Sequence, residues 1–167
     1  MLIFSALAFG APGCKSNLTD PASYEEAKAL ISQEVPSSEA LCALPAHIPQ
    51  DARDVRLYAE IHPGPAGDKL LLRCSLPREE VARIADDARA KSRGATGGRG
   101  DVDPTFYDIP ALANVGLPKR SLLPKEYATI LVYNLGGSTE GTTAGVIANV
   151  SRGLIVWWVF HRNAFYR

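Results

Sequence analysis

An α+β fold is predicted: an antiparallel sheet, built from an N-terminal β-hairpin and a C-terminal three-stranded meander, with two helices packed on it. Three observations predict it. DPASYEEAKALISQEVP and PREEVARIADDARAKSRG carry apolar residues at helical spacing between recognisable start and stop signals. VRLYAEIH and KLLLRCSL alternate with period two on either side of a turn rich in Pro and Gly. YATILVYN, TTAGVIANV and GLIVWWVFHR then read as three consecutive strands. The chain has 167 residues, room for one hydrophobic core and too few for two ordinary ones, so residues 20–167 are expected to be a single domain.

In the first helix Asp20 can cap, Pro21 suits the opening position, and Glu25 and Glu26 lie near the positive end of the helix dipole. Tyr24, Ala27, Leu30, Ile31 and Val35 share a face, and Pro36 ends the run. In the hairpin, Val55, Leu57, Ala59 and Ile61 point one way and Arg56, Tyr58, Glu60 and His62 the other. Leu70, Leu72, Cys74 and Leu76 continue the buried side, so one face of this hairpin is expected to be dry and the other wet. The second helix starts at Pro77, has Glu79 and Glu80 in its first turn and Lys91 and Arg93 in its last, and stops at Gly94. Its stripe is Val81, Ile84, Ala85 and Ala88.

Residues 92–125 show no lasting periodicity and are expected to form a long loop, its second half apolar enough to pack down. Ser151, Arg152 and Gly153 turn the chain into the final strand. That strand, LIVWWVF, is apolar on both faces, which demands cover on both sides or an edge that meets a partner. Cover by the two helices is expected, because their stripes need a surface to bury against.

The chain opens with MLIFSALAFGAPGCKSN, an apolar run from Leu2 to Phe9, small or turn-forming residues from Gly10 to Gly13, then Cys14 and the polar Lys15, Ser16 and Asn17. The run is too short to cross a bilayer, which takes about 20 apolar residues, and has the form of a secretory signal with its cleavage region. Ending at Cys14, it resembles the signal of a bacterial lipoprotein over residues 1–15. Gly13 matches the residue before the cysteine, whereas Ala11 and Pro12 stand where that family usually has Leu and a small residue. The resemblance implies a signal peptide over 1–13, a lipid on Cys14, a tether over 14–19, and a place in the bacterial cell envelope, lipid-anchored on the periplasmic side or secreted. The alternative is a cytoplasmic protein with residues 1–14 in the fold. With Cys14 lipidated, Cys42 and Cys74 form an even pair, which in an exported chain suggests a disulfide; two buried thiols are the other reading.

Acidic and basic residues balance at 18 each, which argues against nucleic acid as a partner, since phosphate binding requires a basic excess. His47, His62 and His161 have no metal-ligand spacing with one another or with Cys, Asp or Glu, so no metal or cofactor is expected. NLGGSTEGTTAG lacks the Gly-Lys-Ser/Thr of a P-loop and leads into a strand, so it reads as a hairpin loop. Asp101, Asp103 and Asp108 fail the spacing of a calcium loop. Arg99, Gly100 and Asp101 match a receptor-binding tripeptide too short to carry weight, and no Gly-x-Ser-x-Gly elbow surrounds Ser138 or Ser151.

These observations lead to an expectation of a non-catalytic envelope module, with the membrane as partner through the anchor and an envelope protein or small molecule as ligand. The runner-up is a small exported hydrolase-like enzyme using His62 or His161 with an acid such as Glu60 or Asp108.

Overall fold

The computed structural model describes residues 16–35, 38–61, 67–94, 109, 111–118, 122–136 and 141–162. Its strands are Ser16–Leu18 (β1), Arg53–Ile61 (β2), Asp68–Ser75 (β3), Ala128–Gly136 (β4), Gly141–Asn149 (β5) and Leu154–Arg162 (β6). They form one sheet in the order β1-β2-β3-β6-β5-β4, antiparallel throughout. The hairpin and the meander of the α+β expectation therefore join, and they join through β3 and β6, with Leu72 opposite Trp157. Helices Tyr24–Glu34 (α1), Ser38–Leu41 (α2) and Arg78–Gly94 (α3) complete the fold.

All three helices bury their stripes on one face of the sheet. Tyr24, Ala27 and Ile31 of α1, Ala40 of α2, and Val81, Ala85 and Ala88 of α3 meet Leu57, Leu72, Cys74, Ile130, Val146, Ile155 and Trp157 in one core. The start of α1 follows the sequence logic. Asp20 Oδ1 accepts from Ala22 N at 2.9 Å, and Pro21–Ser23 form a 3-10 turn that feeds the helix. Tyr24 is buried against this core, and its hydroxyl donates to Pro45 O at 2.7 Å, which holds the segment after α2 against α1.

The opposite face corrects two expectations. On the hairpin it is only partly wet, since Arg56 is exposed and Tyr58 and Glu60 are half-buried while Leu71 is buried, and with Leu71 the residues Leu131, Ile147, Leu154, Val156 and Trp158 are buried on this face beneath Ile109, Leu112, Val115, Leu117 and Tyr127. The two-faced strand β6 lies between β3 and β5 and is thus covered by helices on one side only. Its other side is covered by part of the segment expected to be a loop, in which Leu112–Val115 form a 3-10 helix, while residues 92–94 belong to α3. The early part of that segment, with Arg99–Asp101, Asp103 and Asp108, lies outside the described residues. A third correction concerns residues 14–19: Ser16–Leu18 are not tether but a strand paired with Ala59–Ile61 of β2.

Arg73 pins the covering segment to the sheet. Its guanidinium donates from Nη1 to Val115 O at 2.8 Å and Gly116 O at 3.3 Å, and from Nη2 to Asp54 Oδ2 at 2.6 Å. Asp54 reaches it from a bulged start of β2, where its own φ is +47°. Arg73→Met is expected to cost about 1–3 kcal/mol, chiefly by leaving the part-buried Val115 carbonyl without its donor. Urea unfolding checks it, and the covering segment of the variant should be cut first in limited proteolysis.

Candidate functional site

The segment Cys42–Pro49 and helix α3 stand apart over the sheet and leave a cleft of about 220 Å³ between them. Its floor is Val132 of β4, Val146 of β5 and Trp157 of β6, and its walls include Leu44, Pro45, Ile84 and Ala88. Small residues leave part of the opening unfilled: Ala43 lines one wall and Ala88 the other, over Trp157.

Charge is confined to the rim, where Glu80, Arg83, Asp87 and Lys91 follow one another along α3. Arg83 Nη2 donates to Glu80 Oε1 at 2.6 Å and Nη1 to Asp87 Oδ2 at 3.1 Å. The bond from Arg83 holds the Glu80 carboxyl below the usual carboxylate range. Lys91 Nζ donates to Cys42 O at 3.3 Å and ties the two walls together. An apolar floor under a charged, internally paired rim suits an uncharged apolar group presented by a polar molecule.

The two cysteines are not bonded to each other, which corrects the expected disulfide. Cys74 points from β3 into the sheet–helix core, whereas Cys42 is exposed on the cleft rim, its Sγ donating to Ser38 O at 3.4 Å. Burial pushes the Cys74 thiol up to about 12, so it stays protonated and inert. Folded protein should therefore give up Cys42 to a thiol reagent within minutes and Cys74 only on unfolding. Equal reactivity of the two would contradict this placement. Cys14 lies outside the described residues.

The three histidines go to different places. His47 is exposed and pairs with Glu25 at 2.8 Å, and His62 lies outside the described residues, as does Ser138. His161 is buried near the end of β6, with its Nδ1 hydrogen-bonded to Thr142 Oγ1 of β5 at 2.8 Å and Asp68 of β3 directly opposite. Thr142, His161 and Asp68 thus form a polar row across three adjacent strands on the helix side. Glu60, expected as a partner acid for His161, belongs to the other face: its Oε2 accepts from Tyr58 at 2.9 Å and from Lys69 at 2.7 Å. Burial, followed by the bond to Glu60, raises the Tyr58 hydroxyl above its ordinary range. Asp108 lies outside the described residues. Among the described residues no group of three or more His, Cys, Asp or Glu side chains is placed to hold a metal ion, and no helix is long and apolar enough to cross a membrane.

Sequence reasoning missed the cleft because residues 42–49 carry neither period. It also missed the polar row, whose members are 74 and 19 positions from one another's strands in sequence order and meet only through pairing. An acid and a hydroxyl at the ends of otherwise apolar strand faces were the available signal.

Fold and cleft together define an α+β protein with an open antiparallel sheet, three helices on one side and an irregular cover on the other. Comparison with known proteins adds no relative: no family model, no curated protein and no solved structure matches this chain significantly.

Proposed function

We propose that this chain is an exported cell-envelope protein, lipid-anchored through Cys14, that works as a non-catalytic binding module and seats its ligand in the cleft between α3 and residues 42–49. The cleft over Trp157 is the observation that carries the binding half of this reading; the signal-like opening of the sequence carries the envelope half. An apolar floor with a self-paired rim offers shape and hydrophobic area and no charge in excess, which fits a small molecule or a side chain of an envelope protein. The test is titration with anilinonaphthalene sulfonate, whose emission rises in apolar sites. One saturable site is expected in the native chain and none after Ile84→Glu, with the fold of the variant checked by circular dichroism. Absence of saturable binding to the native chain would overturn the proposal.

A second reading rests on the Thr142–His161 contact of 2.8 Å with Asp68 opposite: a small exported hydrolase in which His161 takes the proton of Thr142 as that hydroxyl attacks an ester carbonyl, passes it to the alcohol released as the ester C–O bond breaks, and leaves an acyl-Thr142 that water hydrolyses. It requires p-nitrophenyl acetate turnover that His161→Gln abolishes. No turnover, or turnover unchanged in the variant, would dispose of it.

A further inference from the structure

The charges on the cleft rim are not equivalent. Arg83 holds Glu80 through Nε at 3.2 Å and Nη2 at 2.6 Å, and reaches Asp87 with Nη1 at 3.1 Å. Both acids of that trio therefore have a guanidinium donor already. Lys91, exposed one turn further along α3, has no carboxylate partner among the described residues; its Nζ donates to the neutral Cys42 O at 3.3 Å. An ammonium carries three donors, so two of those on Lys91 stay idle at the cleft mouth.

Helical spacing connects this cation to the apolar wall. Ile84, Ala88 and Lys91 stand at i, i+4 and i+7 on one face of α3, and all three line the cleft. From Ile84 to Lys91 the helix rises about 10 Å, near the extended length of a chain of about eight carbons. The volume agrees, since a cavity of about 150 Å³ accepts benzene and the cleft over Trp157 holds about 220 Å³. A ligand whose tail lies against Ile84, Ala88 and Trp157 brings its head to Lys91. A cationic head would have to displace Arg83 from its two acids, whereas an anionic head meets idle donors. Asp87 is the i−4 neighbour of Lys91 on the helix surface and repels a second negative charge, so the head carries one. Beside an apolar wall the resulting ion pair is stronger than in open water.

We infer that the cleft takes an alkanoate, a monocarboxylate with an apolar tail of about eight carbons, its carboxylate on the Lys91 ammonium and its tail over Trp157 between Ile84 and Leu44. The inference rests on the cleft reading above, and adds the charge of the ligand and the direction in which it lies.

The experiment is calorimetric titration of the purified full chain at neutral pH with octanoate, octanol and octylamine, which share a tail and differ in the charge of the head. Octanoate should bind at one site, and more tightly than octylamine. The ratio of octanoate to octanol affinity should fall several-fold in Lys91→Met, the scale of an exposed ion pair, and be kept in Lys91→Arg, with the fold of both variants checked by circular dichroism. In the native chain that ratio should also shrink as sodium chloride is raised. A ratio that is the same in the native chain and in Lys91→Met, or one indifferent to salt, overturns the placing of the head at Lys91 and leaves the cleft standing. Binding of none of the three, beside saturable binding of anilinonaphthalene sulfonate, overturns the ligand class alone. Absence of both overturns the cleft reading, and the inference with it.

Discussion

Trp157→Ala is expected to destabilise the protein by about 3–5 kcal/mol, the usual cost of removing a buried indole, and to lower Tm by roughly 10 °C or more for a domain of this size. Trp157 stands 3% exposed on β6, between β3 and β5, facing the helices, and it forms the cleft floor. Its removal takes contacts from both cleft walls and from the sheet in one step. Because the vacated space opens into the cleft, water can enter it, and probe binding should fall together with stability. Trp157→Phe keeps most of the floor and should lose less than half as much. Calorimetry of the two variants beside the native chain checks the order.

Gly145→Ala is expected to cost about 1–3 kcal/mol, although it adds a single methyl group, because that group has no room. A Cβ at this position would come 2.3 Å from Ile130 O and 3.0 Å from the Trp158 ring. The cause is the irregular register of β4 against β5 between Leu131 and Tyr133. A bulged strand re-aims its carbonyls, and here one of them approaches the β5 backbone while the indole lies across the same glycine. Neither neighbour yields easily: the carbonyl is backbone, and Trp158 is packed beneath the covering segment. Urea unfolding of Gly145→Ala should show a lower midpoint with an unchanged slope. A midpoint equal to that of the native chain would mean that the two strands separate more readily than this packing implies.

Local chemistry made much of the fold legible. The helix boundaries followed from Pro21, Pro77, the acidic first turns and Gly94, since capping and dipole effects act within a few residues. Strand faces followed from period two, and Leu57, Leu72, Cys74 and Trp157 point into one core as the alternation requires. What stayed hidden was set by distant pairing. Nothing near Ser16 announces that it will add a strand beside β2, because a three-residue edge strand has almost no pattern of its own. The run LIVWWVF signalled that β6 needed cover on both faces, but not that Leu112 and Val115 would supply one side of it in place of a helix. The disulfide expectation failed for a similar reason. Cysteine parity says nothing of direction, and Cys74 points inward while Cys42 lies on the surface.

The candidate sites divide in the same way. The expectation of export and lipidation, which belongs to the proposed function, rests on a contiguous stretch ending at Cys14. The cleft depends on Cys42–Pro49, α3 and three strands meeting, and the Thr142–His161–Asp68 row on strand order, which no local pattern encodes.

The intact mass of the chain recovered from bacterial membranes tests the central claim most directly. The account predicts a mature protein beginning at Cys14 and heavier by a thioether-linked diacylglyceryl group, with both the added mass and the membrane association lost in Cys14→Ser. A full-length, unmodified chain recovered from the cytosol would contradict it.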